Sequence, residues 1–446
     1  MKEGETLKLN IESYDINGYG VSHYDSIVIF VLGAMKDEVV IAKIESVHKR
    51  FVFASVVRIL EKSPKRIEEK CKFASLCGGC DMLHIPYDVE LEIKRNRVKQ
   101  TLKDFDYKLN DVIKSDNIYG YRNKVMMPFR RDLEEDMVYY GFYEKKTHKI
   151  IQMDQCIISD DKTNEIIDFI NKYLNIFHVS IYDEEMHQGL FREVMIRRTI
   201  YNEYMVVLIV YKEFDLSRLI EFLTKEFECI KSIYFNINSN ENNVLLSDNF
   251  KLLYGNNTIK ENILGLNFNV SPSSFMQVNH DQTEKLYSEA LELAKLEKNM
   301  NVIDAYCGMG SITLNIAKYV NHVYGIEIVE SAIKNAISNM ELNSINNATF
   351  ICGKCEDKIR ELVNLDNIDV IFFDPPRKGC DIKFLETVIE MKIPKIIYIS
   401  CNISTAARDI KILEKNGYKL EEVTPVDMFS KTLHVETICL LNRKND

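Results

Sequence analysis

The stretch VIDAYCGMGSITLNIA, residues 302–317, predicts an apolar strand, an acid and a Gly-x-Gly turn that opens a helix. Glycines at such a turn let the backbone approach a ligand closely. The next strand, HVYGIEI, ends at Glu327, where a carboxylate can accept hydrogen bonds from ribose hydroxyls. Because AYCGMG replaces the G-x-G-x-x-G of dinucleotide sites, the pattern fits S-adenosylmethionine better. A glycine turn followed by a solvated glutamate is the alternative.

Around this turn, the order of strands and helices predicts the fold of the C-terminal part. From residue 266 onward, strand-like runs alternate with helical runs, which predicts a doubly wound, mostly parallel sheet. Residues 1–60 instead contain short alternating segments broken by glycine turns, which indicates a small β-barrel. Residues 118–262 mix both kinds of run and predict an α+β domain. A chain of 446 residues is therefore expected to have several domains.

The composition excludes some classes of protein. The N-terminal residues lack the apolar core of a signal peptide, and no apolar run is long enough for a membrane span, so we expect a cytoplasmic protein. Its 11 cysteines are then not expected to form disulfides, because the cytosol keeps thiols reduced. A net charge of −10 excludes a uniformly basic coat for nucleic acid but leaves room for a local basic patch.

A second motif, VIFFDPPRKG at residues 370–379, places Asp374 at a strand end before two prolines. Prolines stiffen the turn and hold its neighbours in a fixed geometry. In methyltransferases that act on amino groups, an aromatic residue follows the Asp-Pro-Pro sequence and stacks on the base. Arg377 stands at that position here, which indicates an acceptor other than an exocyclic nitrogen.

The run KIIYISCNISTAARD, residues 395–409, places Cys401 at the end of a predicted strand on the same sheet edge. A buried cysteine is usually a small packing residue. A thiolate at this edge can instead add to C6 of a pyrimidine and make C5 nucleophilic. Removal of the C5 proton then requires a base, and TLHVETICLL offers Glu436, with His434 expected on the same face. An edge-strand carboxylate is the structural alternative for Glu436.

The run CKFASLCGGC contains three cysteines in a glycine-rich loop. Three thiolates need a fourth ligand to hold an iron-sulfur cluster, and Cys156 in MDQCIISD is the candidate. Zinc sites usually come as paired short-spaced knuckles, so the spacing favours [4Fe-4S] over zinc. Unligated reduced thiols are the remaining alternative. The predicted cluster ligands are Cys71, Cys77, Cys80 and Cys156.

Together these motifs resemble the RNA uracil-C5-methyltransferases, in particular the 23S ribosomal RNA branch of RlmD/RlmCD type. The resemblance covers essentially the whole chain and is carried by SPSSFMQVN, DAYCGMGSITL, GIEIVESAIKNA, FFDPPRKG, YISCNISTAARD and HVET. It implies that Cys401 attacks C6 and that Glu436 removes the C5 proton. It also implies a set of S-adenosylmethionine ligands: Gln277, Tyr306, Glu327 and Asp374, with Ser311 and Lys354 at positions where some members use asparagines.

The resemblance also implies a domain plan and a substrate. Residues 1–60 resemble a TRAM/OB-like RNA-binding β-barrel, 61–262 a central α+β domain with the iron-sulfur loop, and 263–446 a Rossmann-like methyltransferase domain. The helix at about 89–105 is expected to pack on the catalytic domain. A flipped uridine in 23S ribosomal RNA is the expected substrate, and basic and aromatic residues in YGYRNKVMMPFRR and FREVMIRR can line its path. We expect a monomer without membrane contacts.

Two alternatives stay open from the sequence. One keeps the thiol chemistry but methylates cytosine C5 or a transfer RNA. It ranks lower because the chain lacks the second cysteine beside a proline that RNA cytosine enzymes carry, and because the barrel is expected only on the ribosomal branch. The other is a non-catalytic RNA-binding or iron-sulfur protein, which does not explain why Cys401, Glu436 and Asp374 occur together.

Overall fold

The chain forms three large sheets and a hairpin in this computed structural model, which describes residues 1–132, 134–145, 147, 149–241, 244–363 and 367–444. Helices lie on the central and C-terminal sheets and are absent from the described part of the N-terminal one. Among the helices of these residues, none combines the length and the apolar character that crossing a membrane requires.

The N-terminal sheet is made of short strands in the order β1-β5-β6-β4-β3-β2. Apolar residues alternate along these strands, so that one face of each strand packs inside; Ile29 with Val31 and Val52 with Ala54 are examples. The strands are β1 (Thr6–Asn10), β2 (Ser13–Tyr14), β3 (Gly20–Tyr24), β4 (Ile27–Leu32), β5 (Val39–Val47) and β6 (Phe51–Glu61).

An irregular segment carries the cysteine-rich loop and leads into helix α1 (Tyr87–Thr101) and strand β7 (Lys108–Leu109). Val98 of α1 and Leu102 just after it are buried in the hydrophobic core of the C-terminal sheet. The helix therefore packs on the C-terminal sheet although its sequence precedes the central one.

The central sheet has the strand order β13-β12-β11-β10-β8-β9. Its two helices cover one face, where Ile166 and Leu219 pack against Val194 and Val206. The opposite face presents residues such as Met195 to the core of the C-terminal sheet. The elements are β8 (Lys124–Asp132), β9 (Met137–Tyr140), α2 (Asp161–Ile176), β10 (Phe191–Arg198), β11 (Tyr204–Val210), α3 (Ser217–Glu226), β12 (Ile230–Ile237) and β13 (Phe250–Gly255).

A hairpin, β14 (Ile259–Ile263) with β15 (Leu266–Val270), leads into the C-terminal elements. These alternate between helix and strand as the sequence predicts. They are α4 (His280–Ala294), β16 (Asn301–Ala305), α5 (Ser311–Ala317), β17 (His322–Glu327), α6 (Glu330–Leu342), β18 (Ala348–Cys352), α7 (Cys355–Val363), β19 (Val370–Phe373), α8 (Ile382–Glu390), β20 (Lys395–Ser400), α9 (Ile403–Lys415), β21 (Tyr418–Val426) and β22 (Glu436–Arg443).

The C-terminal sheet has the order β18-β17-β16-β19-β20-β22-β21-β7. Strands β16 to β20 run parallel, and the order reverses between β16 and β19, which is where open α/β sheets bind ligands. Strand β22 runs antiparallel to β20. Its first residue therefore lies at the same edge as the carboxyl ends of the parallel strands.

Buried charges join α1 to the segment between β21 and β22. Lys94 is fully buried, and its ammonium contacts Glu90 Oε1 at 2.9 Å, the carboxylate of Asp427 and the carbonyl of Phe429. Burial alone would lower the pKa of Lys94, but the two carboxylates outweigh it and raise that pKa above its ordinary value. Lys431, also buried, donates its backbone N–H to Glu90 Oε1 at 2.7 Å. These contacts fix the approach to β22.

Replacing Lys94 by methionine is expected to destabilise the fold by about 3–5 kcal/mol, because it leaves the buried Asp427 carboxylate without its cation, whereas Glu90 keeps Lys431 at 3.2 Å. Chemical unfolding followed by circular dichroism measures the effect. The matched control is Lys99→Met, which removes an exposed lysine from the same helix. Equal stability of the two variants would contradict a structural role for the Lys94 ion pairs.

Candidate active site

The turn after β16 lies at the edge of the sheet where open α/β sheets bind ligands, and its glycines carry no side chains. Tyr306 has φ 65° and Gly310 has φ 82°, a left-handed backbone that glycine adopts without strain. A Cβ atom on Gly310 would lie 2.8 Å from Cζ of Phe350 and 3.3 Å from Cβ of Ala336. The turn is therefore packed tightly against β18 and α6, and a larger residue at 310 would displace it.

Glu327 connects the end of β17 to this turn. Its Oε1 accepts hydrogen bonds from the N–H groups of Ile328 at 2.8 Å and Val329 at 3.0 Å. Its Oε2 accepts one from Gly308 N–H at 3.3 Å. The carboxylate is thus held beside the glycine turn, where a ribose is expected.

A second pair of predicted ligands meets at the end of β19. Gln277 donates from Nε2 to Asp374 Oδ2 at 3.4 Å. Burial raises the pKa of Asp374 to about 7, and the Gln277 hydrogen bond opposes that rise. Asn123 of the central region donates from Nδ2 to the Gln277 carbonyl at 3.1 Å. The central sheet therefore helps to place Gln277 against Asp374.

The other predicted ligands surround the same edge. Ser311, the first residue of α5, shares a 2.9 Å hydrogen bond with the Tyr287 hydroxyl. The Tyr306 ring lies 5.4 Å from that of Phe384. Lys354 is exposed and lies beyond the end of β18, next to the strand of Glu327. Tyr287 was missed by the sequence reasoning, because a tyrosine at helical spacing in α4 has the same pattern as a core residue.

Cys401 and Glu436 become neighbours through strand register. Strands β20 and β22 pair with Ser400 opposite Thr437, so Cys401 and Glu436 follow directly at the sheet edge. Thr437 Oγ1 donates to the Ser400 carbonyl at 3.2 Å and holds this end of the pair. The prediction that His434 shares a face with Glu436 is wrong, because β22 begins only at Glu436 and His434 is exposed outside it.

The environment of Glu436 favours its protonated form. The side chain is 2% exposed, and Oε2 has no hydrogen-bond partner among the described residues. Burial raises the pKa of Glu436 well above its ordinary value, Asp374 raises it further, and Arg377 opposes both. A carboxylate in such a place is a strong base once it loses its proton.

The Cys401 thiol is partly exposed and has the same charged neighbours. Burial and the charges of Glu436 and Asp374 raise its pKa to about 11, although Arg377 acts to lower it. The resting residue is therefore a thiol that must lose its proton on attack. Thiol, carboxyl group and guanidinium together can support nucleophilic addition followed by proton removal.

Asn402 has a structural role beside the thiol. Its side chain accepts from Ser404 N–H at 3.1 Å and caps α9. Its amide donates to the Arg377 carbonyl at 3.2 Å, and Thr405 Oγ1 donates to the same carbonyl at 3.4 Å. The start of α9 thereby fixes the Asp-Pro-Pro-Arg loop next to Cys401.

The cysteine-rich loop and Cys156 carry the predicted cluster ligands. Cys77, Cys80 and Cys156 pack in one cluster with Tyr121. Burial raises the pKa of Cys71, Cys77 and Cys80, and the charge of Cys156 raises each of them further. Within the described residues, no group of three or more His, Cys, Asp or Glu side chains is arranged to hold a metal ion. The cluster stays a prediction.

Similar proteins support one family. A model of the tRNA (uracil-5-)-methyltransferase family matches residues 86–444. Uncharacterized RNA methyltransferases of Clostridium tetani and Listeria innocua are 39% and 40% identical to the chain, each over 100% of it and over 98% and 99% of their own length. The crystal structure of Pyrococcus abyssi tRNA (uracil-54, C5)-methyltransferase in complex with S-adenosyl-L-homocysteine has a TM-score of 0.78 at 26% identity. That match covers 97% of this chain and 99% of the Pyrococcus chain.

These matches agree with the motifs at the edge of the C-terminal sheet. The predicted family and the predicted class of enzyme are confirmed, and so is an S-adenosylmethionine-dependent methyltransferase fold. The chain belongs to the tRNA (uracil-5-)-methyltransferase family and is an RNA (uracil-5)-methyltransferase.

Proposed function

We propose that the protein methylates C5 of a uridine in 23S ribosomal RNA, with Cys401 as nucleophile and Glu436 as base. The observation that carries the proposal is the β20–β22 register, which brings these two residues together beside Asp374. The ribosomal substrate rests on the motif resemblance alone.

The residues at the sheet edge fit S-adenosylmethionine. The turn leaves room for a ligand at Gly308, where an added Cβ would meet no atom within 4 Å, Glu327 suits a ribose, and Gln277 with Asp374 offers polar groups next to it. Ser311, Tyr306 and Lys354 complete the proposed binding set. When bound, S-adenosylmethionine supplies an electrophilic methyl group.

The proposed reaction begins at Cys401. The thiol gives its proton to solvent, sulfur forms a bond to C6 of the uracil, and the electron pair of the C5–C6 double bond moves toward C5 and the O4 carbonyl. C5 then accepts the methyl group. The Glu436 carboxylate takes the remaining C5 proton, the double bond re-forms, and the bond between C6 and sulfur breaks. The uracil must leave the stack to reach both residues.

The rate of this reaction is expected to rise with pH across the neutral range. Both groups have raised pKa values, and each acts in its deprotonated form, so higher pH increases the active fraction. Single-turnover tritium release at saturating RNA and S-adenosylmethionine, measured between about pH 6 and 9, gives the profile. A rate that falls steadily over that interval would contradict the assigned protonation states.

The N-terminal barrel is proposed to bind RNA. Phe30, Phe51 and Phe53 form a ring cluster with centroid separations of 5.5–5.9 Å. They line a groove of about 570 Å³ whose other wall includes Asn96 and Gln100 of α1. Aromatic faces in a groove suit the stacking of unpaired bases.

We also propose a [4Fe-4S] cluster on Cys71, Cys77, Cys80 and Cys156. Thiols that share a cluster stand further apart than the ligands of a single ion, because four iron atoms lie between them. The loop touches the catalytic region, since Asp81 and Met82 donate their N–H groups to the Lys431 carbonyl at 3.0 and 3.1 Å. Anaerobic purification should give about four iron and four sulfide per chain. One zinc per chain instead would overturn the cluster.

Transfer RNA is the second candidate substrate. The match to the Pyrococcus tRNA (uracil-54, C5)-methyltransferase spans 97% of this chain, so it extends into the N-terminal region. An N-terminal barrel therefore does not separate ribosomal from transfer RNA enzymes, contrary to the expectation from the sequence.

The deciding experiment measures tritium release from RNA that carries tritium at C5 of uridine, with S-adenosylmethionine present. Release from 23S RNA and not from tRNA is expected. Release from tRNA alone would move the assignment to the second candidate, and release from neither would overturn the proposed function.

A further inference from the structure

Three cationic side chains gather on the face of the central sheet that meets the C-terminal core. Lys124 of β8 and Arg197 of β10 lie directly opposite each other in the antiparallel register, so their side chains leave the same face as neighbours. Met126 and Met195 flank them on that face and contact the C-terminal core. Arg122 lies two residues before Lys124 and donates from Nε to its carbonyl at 3.0 Å.

Arg197 has no acidic partner among the described residues. Its side chain is 1% exposed, and Nη2 donates to the carbonyls of Ser274 and, at 3.3 Å, Pro272. Nε and Nη1 are buried without a hydrogen-bond partner in the described part of the chain. Burial alone lowers the pKa of Arg197 to about 10, with no carboxylate close enough to oppose it.

Lys124 is a second cation of this group without an acidic partner among the described residues, and solvent reaches its side chain. Burial, together with the charges of Arg197 and Arg122, lowers the pKa of Lys124 to about 8. Its side chain is half-buried, and it makes no salt bridge with a described residue. A buried cation without a counter-charge is costly, and in a chain of net charge −10 carboxylates are plentiful elsewhere. The missing anion is therefore expected from outside the protein.

The position of the cations indicates which anion. The carbonyls that Arg197 holds belong to the segment 271–277, which also carries Phe275, 69% exposed, and Gln277, bonded to Asp374. The cations therefore lie beside the edge where the target uridine is expected. Cations without a carboxylate partner suit phosphate oxygens, which carry the negative charge that they lack.

We propose that Lys124, backed by the buried charge of Arg197, binds a phosphodiester of the RNA strand next to the target uridine. This subsite rests on the proposed function, because it takes its ligand from the RNA. Lys124 contacts the phosphate, and Arg197 supplies fixed positive charge behind it while positioning the segment 271–277. The carboxylate of S-adenosylmethionine is the other anion available at this edge, and the experiment separates the two.

The test compares Lys124→Gln with Lys172→Gln, a matched control on α2 at the opposite face of the central sheet. Lys172 has a 68% exposed side chain paired with Asp168. Binding of a uridine-containing RNA stem-loop is measured over a series of salt concentrations, and binding of S-adenosylmethionine is measured separately. Lys124→Gln is expected to weaken RNA binding about tenfold and to reduce the salt slope by about 1. Lys124→Arg should restore both.

Three results are decisive. An unchanged RNA affinity and salt slope in Lys124→Gln, with wild-type methylation intact, would overturn the subsite and leave the proposed function standing. A loss of S-adenosylmethionine affinity with RNA binding unchanged would assign the cations to the cofactor carboxylate and also overturn it. Failure of the wild-type protein to methylate any uridine-containing RNA would instead remove the proposed function itself.

Discussion

Cys401→Ala is expected to lower methyl transfer by a factor on the order of 10⁴ or more, because it removes the sulfur proposed to add to C6. C5 of uracil is too weak a nucleophile to take the methyl group without that addition. Tritium release from C5-labelled RNA measures the loss. Binding of S-adenosylmethionine should be unchanged, because none of the residues proposed to hold it lies on β20 or in the turn after it, where Cys401 stands.

The control for this variant is Cys229→Ala, which removes a partly exposed thiol of the central region that is far from Cys401 in sequence. It should leave tritium release at the wild-type level. Persistent release by Cys401→Ala would show that the thiol is not the nucleophile, and the chemistry would then need another explanation. Loss of release in both variants would point to a folding defect, which circular dichroism would reveal.

The local motifs of the site could be predicted from the sequence. The strand, the acid, the glycine turn and the helix occur at residues 302–317 in the predicted order. They could be predicted because the periodicity of apolar residues and the choice of turn residues depend on neighbouring residues alone. The Asp-Pro-Pro loop and the thiol at a strand end are local in the same sense. Asp374 and Cys401 accordingly lie at the predicted edge.

Contacts between distant residues could not be predicted. Glu436 reaches Cys401 only through the antiparallel insertion of β22 between β20 and β21, and no local pattern fixes that register. The prediction for His434 was wrong for the same reason, because the sequence does not show that β22 begins only at Glu436. The Lys94–Asp427 pair joins residues more than 300 positions apart, and in sequence Lys94 is one lysine of a basic helix. The missing partner of Arg197 is visible only once its surroundings are known.

Two acidic residues, Asp374 and Glu436, lie at this edge of the sheet, and both have raised pKa values. Burial raises the pKa of both Asp374 and Glu436, and the charge of Asp374 raises the pKa of Glu436 further. Arg377 offsets part of this effect at Glu436 and at Cys401. Arg377, which lies on an exposed loop, thus acts to lower the pKa of both reacting groups. The carbonyl of Arg377 is held by Asn402 at the start of α9.

Glu436→Gln is expected to stop the reaction after methyl transfer and to trap RNA on the protein. Glutamine cannot take the C5 proton, so the bond between C6 and the Cys401 sulfur cannot break. Multiple turnover should fall by about 10³-fold, within the range for loss of a general base, while a single methyl group per protein still transfers. A band of protein with covalently attached, methylated RNA should appear on a denaturing gel.

Two controls make this result specific. Glu386→Gln removes an exposed carboxylate from α8 and should neither slow turnover nor accumulate an adduct. Adding Cys401→Ala to Glu436→Gln should abolish the adduct, because the sulfur that forms it is gone. Normal turnover by Glu436→Gln would remove the residue from the mechanism. An adduct without methylation would show that addition to C6 proceeds without the carboxyl group, and Glu436 would then serve methyl transfer rather than elimination.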